Sequence, residues 1–90
     1  MKAFHATIEG EVQGVGFRYS AMREANGHGI VGWVRNTQEE AVEVWAEGGE
    51  AALREFKAWL ETGPLYARVD RVTLSRETPT GKYSSFSIAF

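Results

Sequence analysis

Two stretches of this chain combine residue types that could act on an anion. Residues 13–18 read QGVGFR, and Asn36 closes the run GWVRN at residues 32–36. Glycine tolerates backbone angles that other residues avoid. Gly14 and Gly16 therefore allow the N–H groups of Gly14, Val15, Gly16, Phe17 and Arg18 to turn inward as a concave nest. If a helix starts at this point, its first N–H groups lack internal partners and carry partial positive charge. The Arg18 guanidinium adds a planar fork that matches two phosphate oxygens. Asn36 carries an amide that donates and accepts without titrating, as a group orienting a water molecule must.

Each stretch also has a plain reading. The glycines could make a turn followed by a surface arginine, and an asparagine commonly starts a turn. For the loop, spacing alone leaves both readings open, because short glycine motifs are weak signals; for Asn36 alone, the turn is the better reading. QGVGFR is not a P-loop, since no Gly-Lys-Ser/Thr follows and no aspartate is placed to help hold Mg²⁺. It is not a dinucleotide fingerprint either, because the unit it opens leads into an antiparallel hairpin.

Other candidates are weaker. His5 and His28 are the only histidines, and the chain has no cysteine, so no metal site is expected. Glu9 and Glu11 fall on the wet side of a strand, and Glu39 and Glu40 fall in a turn, which fits solvated charge better than a catalytic pair. Ser84, Ser85 and Ser87 have no histidine nearby in sequence to act as base. Trp33, Trp45 and Trp59 fit the hydrophobic patterns and read as packing residues.

The elements that must position Arg18 and Asn36 follow from hydrophobic periodicity. Phe4, Ala6, Ile8, Gly10 and Val12 alternate with polar residues, as on a strand with one wet face. From Phe17 to Asn26 the period becomes helical, with Ala21, Met22 and Ala25 on one side. Residues 30–36 and 41–48 are two strands at hairpin spacing. In the second, Val42, Val44 and Ala46 face away from Glu43, Trp45 and Glu47. A helix from residue 50 places Leu53, Phe56 and Leu60 on one stripe and stops at Gly63-Pro64. Residues 67–77 form a strand whose apolar phase slips between Val69 and Val72, which implies a bulge. A last strand carries Phe86, Ile88 and Phe90 on one side. The order β-α-β-β-α-β plus one strand predicts an α+β, ferredoxin-like split βαβ sandwich, with two helices on one face of an antiparallel sheet.

Composition bounds what such a domain could do. At 90 residues one domain over 1–90 is expected, and 43% hydrophobic residues suffice for a core. A formal net charge of −2 disfavours nucleic-acid binding. No signal-like or membrane-spanning run appears, so a cytoplasmic protein is expected, without a membrane partner.

VQGVGFR (12–18) and GWVRNT (32–37), with AEG (46–48), GP (63–64) and GKYSSFSI (81–88), resemble the acylphosphatase family over essentially the whole chain. The first two motifs are specific in sequence and in mutual spacing. The resemblance implies a small, monomeric, metal-independent hydrolase that needs no cofactor and cleaves acyl phosphates to carboxylate and phosphate. It further implies that the amides of Gly14, Val15, Gly16, Phe17 and Arg18, with the Arg18 guanidinium, bind the phosphoryl group. Asn36 would position the attacking water, and inorganic phosphate would be product and competitive inhibitor. Two departures stand out: the turn TQEEA lacks an Asp-Gly, and Ser20 replaces a bulkier residue. They bear on the turn and the mouth of the pocket.

The chemistry is coherent without the family. Phosphoryl transfer depends mainly on positioning and electrostatics. An acyl phosphate expels a carboxylate, whose conjugate acid has a pKa of about 4, so the group leaves without a general acid. One arginine, one amide and a backbone nest would serve that substrate and not an ordinary phosphate ester. A regulatory domain that binds a small anion without turning it over is the rival reading. An RNA platform is less suited, because the Gly/aromatic run precedes a helix instead of lying on a central strand.

Overall fold

The computed structural model describes residues 1–90. The chain runs β1 (Lys2–Glu11), α1 (Phe17–Gly27), β2 (Val31–Asn36), β3 (Val42–Gly48), α2 (Glu50–Thr62), β4 (Arg68–Glu77) and β5 (Phe86–Ile88). The sheet order is β4-β1-β3-β2-β5. β3 pairs antiparallel with both β1 and β2, so β1 and β2 run parallel with β3 inserted between them. The same holds for β3 and β4 around β1. These two interleaved split βαβ units are the expected ferredoxin-like arrangement.

One face of the sheet carries both helices. Phe4, Ala6 and Ile8 of β1, Val34 of β2, and Val42, Val44 and Ala46 of β3 are buried beneath them. Above lie Phe17, Ala21 and Ala25 of α1 and Leu53, Phe56 and Leu60 of α2. Phe56 sits at the centre, its ring 6.2 Å from Phe4, 6.3 Å from Trp59 and 5.6 Å from Phe86. Trp59 is thus a packing residue, as its hydrophobic pattern predicts. Trp33 and Trp45 face each other across β2 and β3 on the opposite side of the sheet.

The fully antiparallel sheet expected from the element order needs one correction, because β5 pairs parallel with β2 and the sheet is mixed. The reason is the crossing. β4 ends beside the start of β1, with Glu77 opposite Ala3. The chain then passes to the far edge at that same end, so β5 must run in the direction of β1 and β2.

The crossing segment also covers Glu47, which is fully buried on the sheet face opposite Val44 and Ala46. Its carboxylate accepts hydrogen bonds from the Thr80 N–H (3.0 Å), the Thr80 hydroxyl (2.8 Å), the Gly81 N–H (3.0 Å) and Trp45 Nε1 (2.7 Å). Burial opposes its ionisation, but these bonds outweigh it and hold the carboxyl at about 2.

The slip in β4 is a bulge. Glu9 pairs with Arg71 and Gly10 with Val69, which leaves Asp70 unmatched. Opposite it, a side chain on Gly10 would have its Cβ 2.1 Å from the Arg68 carbonyl oxygen. The turn between β2 and β3 closes with Thr37 N–H donating to Ala41 O at 2.9 Å. Glu40 adopts the left-handed region (φ 64°) where Gly or Asn is usual. Phe90 departs from the face expected for it: β5 ends at Ile88, and Phe90 is fully exposed.

Candidate active site

Because β1, β2 and β5 run parallel, their C-terminal ends share one edge of the molecule. There a cleft of about 290 Å³ is lined by Val12, Gly14, Gly16, Phe17, Arg18, Tyr19, Asn36, Ile88 and Phe90. Arg18 and Asn36, 18 positions apart in sequence, therefore line one cavity.

The loop after β1 is shaped by its glycines. Gly14 (φ 76°) and Gly16 (φ 76°) both adopt the left-handed region, and a Cβ on either would point into open space. Backbone angle, not crowding, requires glycine here. Gly16 caps α1 without a side-chain hydrogen bond, and its carbonyl accepts the first helical bond, from Ser20 N–H at 3.1 Å. None of the turn and cap hydrogen bonds uses an N–H of residues 14–18 as donor. Free N–H groups at a helix start form an anion site. The Phe17 ring is buried, 5.5 Å from Trp59. Val15 packs partly against the core. Arg18 is half-buried and has no carboxylate partner.

Asn36 ends β2 and lines the same cleft. Its Oδ1 is the one buried side-chain oxygen or nitrogen in the molecule without a hydrogen-bond partner. A buried acceptor left unpaired costs free energy, of the order of 1–3 kcal/mol, unless a ligand or water completes it. No Asp, Glu or His side chain lines the cleft, so its lining supplies no histidine base.

Gln13 escaped the sequence reading. Its Nε2 donates to the carbonyls of Thr37 (2.9 Å) and Ala41 (2.8 Å), which ties the glycine loop to the turn beside Asn36. Its position next to the glycines was visible, but its partners lie 24 and 28 residues away.

The other candidates lie outside the cleft. His5 contacts Glu43 (2.6 Å) on the outer sheet face, where Arg35 also meets that carboxylate, and His28 meets Glu24 (3.1 Å). Burial opposes ionisation of Glu43, but its bonds to His5 and Arg35 prevail and lower its pKa. Glu9 and Glu11 pair with Arg71 and Arg68 on β4, and Glu39 and Glu40 are exposed. No group of three or more His, Asp or Glu side chains is placed to hold a metal ion. No helix is long and apolar enough to cross a membrane.

Residues 4–88 match the acylphosphatase family profile. An acylphosphatase of Thiobacillus denitrificans is 49% identical over 86 residues, covering 96% of this chain and 94% of the relative. One from Roseiflexus sp. is 43% identical over 88 residues, covering 98% and 95%. The crystal structure of acylphosphatase from Bacillus subtilis superposes with a TM-score of 0.96 at 33% identity, over the full length of both chains. Sequence and fold agree, and the chain belongs to the acylphosphatase family.

Proposed function

We propose that this chain hydrolyses acyl phosphates, holding the phosphoryl group in the Gly14–Arg18 loop and delivering water from Asn36. Family membership supports the activity. The reading of the site residues is supported above all by one observation: Asn36, whose buried Oδ1 has no partner, lines the same cleft as Arg18 and the free amides of the loop.

In this mechanism the amides of Gly14, Val15, Gly16, Phe17 and Arg18 and the Arg18 fork receive the equatorial phosphoryl oxygens, where charge accumulates in the transition state. Asn36 Oδ1 accepts a hydrogen bond from a water and holds one of its lone pairs toward phosphorus. The water oxygen bonds to phosphorus as the bond from phosphorus to the acyl oxygen breaks. The carboxylate departs with that electron pair, and the water's proton passes to the phosphate product or to solvent. With a carboxylate as leaving group, whose conjugate acid has a pKa of about 4, no general acid is needed. The proposal includes a monomeric, cytoplasmic protein with no cofactor, nucleic-acid partner or membrane partner.

The test is hydrolysis of benzoyl phosphate followed by its loss of absorbance, with EDTA present throughout. The expected result is turnover unaffected by EDTA and inhibited competitively by inorganic phosphate. Binding of phosphate without turnover would instead identify a regulatory anion-binding domain.

A further inference from the structure

At the end of the sheet away from the catalytic cleft, α2 leaves part of the helix-side face of β4 uncovered. The gap is a cavity of about 110 Å³ between the start of β1, the first half of α2 and the end of β4. It shares no residue with the catalytic cleft. Phe4, Leu53 and Leu74 make an apolar floor, while Lys2, Arg54, Lys57 and Arg76 stand around the rim with Glu50 as the single acid.

Four of the chain's ten basic residues thus surround one small apolar hollow in a protein of net charge −2. Arg54 and Lys57 reach only exposed acids one helical turn away, Glu50 at 3.5 Å and Glu61 at 3.2 Å. Such pairs contribute little and exchange partners readily. Lys2 and Arg76 form no salt bridge. Arg76 lies opposite Phe4 in the register of β1 and β4, so its aliphatic stem flanks the floor while its head reaches the rim. An apolar floor offers no partner to a sugar or a nucleobase edge. It suits hydrocarbon, and the rim suits an anion.

We propose that this cavity is a second, non-catalytic site for an anionic amphiphile, an aliphatic chain of about four to six carbons ending in a carboxylate. A closed apolar cavity of about 150 Å³ holds a benzene ring. The smaller volume here, open at its mouth, takes the last carbons of a chain while the carboxylate lies among Lys2, Arg54, Lys57 and Arg76.

A ¹H–¹⁵N chemical-shift titration of the full chain with hexanoate at fixed ionic strength tests this, with hexan-1-ol and hexylammonium as controls. Saturable shifts are expected at residues 2–4, 53–57 and 74–76, with a dissociation constant on the order of 1 mM, within reach of so small a ligand. Saturating inorganic phosphate should leave them unchanged, and hexylammonium should produce none. The double variant Arg54→Gln/Arg76→Gln should weaken hexanoate at least about fivefold while benzoyl phosphate turnover stays at the parent level. Shifts that do not saturate, that are confined to Gly14–Arg18, or that hexan-1-ol reproduces at equal affinity would overturn the proposal.

Discussion

Arg18 and Asn36 come to the cleft from different elements, and in the proposed mechanism they act on different partners. Arg18 holds the phosphoryl group in substrate, transition state and product alike, whereas Asn36 touches only the incoming water. Arg18→Ala should therefore lower kcat/KM by at least about 10³-fold, the scale of a lost arginine on a transferring phosphoryl group, and abolish inhibition by phosphate. Asn36→Ala should lower kcat by about 10²–10³-fold, as for loss of one positioned polar group, and leave the phosphate inhibition constant within about twofold. Steady-state kinetics with benzoyl phosphate separate the two. An Asn36→Ala protein with full turnover and an unchanged circular dichroism spectrum would remove the water-positioning role.

At the scale of elements, the cleft depends on a loop and a hairpin turn staying in register with each other. The Gly14–Arg18 loop hangs from β1 and α1, and Asn36 from β2. Gln13 joins them through the Thr37 and Ala41 carbonyls. The turn it grips holds Glu40 in a left-handed conformation, at φ 64°, where side chains are disfavoured. Gln13→Ala should cost about 1–2 kcal/mol in urea denaturation, the range for two hydrogen bonds. It should also lower kcat by about tenfold, because small displacements of positioning groups are expensive. Thermodynamic loss with unchanged kcat would make Gln13 purely structural.

For the whole molecule, Glu47 fastens the segment that crosses from β4 to β5. Its carboxyl ionises at about 2 in the fold against an ordinary value of 4.5. A depressed carboxyl pKa stabilises the fold above the ordinary value, and this contribution disappears as pH falls toward the folded value. Glu47→Gln should thus destabilise the protein by about 2–3 kcal/mol at neutral pH, through the lost charge-assisted hydrogen bonds. The gap between variant and parent should narrow as pH falls from 4.5 toward about 2. Denaturant unfolding of both proteins across that range measures it. A gap constant with pH would show that the carboxylate charge contributes nothing.

Features governed by neighbours along the chain were legible in the residues alone. Alternation placed β1, helical spacing placed Leu53, Phe56 and Leu60 on one stripe, and the phase slip between Val69 and Val72 marked the bulge now located at Asp70. The types and spacing in QGVGFR and the presence of Asn36 were equally legible, because backbone freedom and side-chain chemistry are local properties. Features that depend on partners far apart in the chain emerged with the folded arrangement. The direction of β5, the burial of Glu47 under Thr80 and Gly81, the grip of Gln13 on the hairpin and the unpaired Asn36 Oδ1 all belong there. Each is set by which strands lie side by side and where the chain crosses, and no periodicity within a single element encodes either.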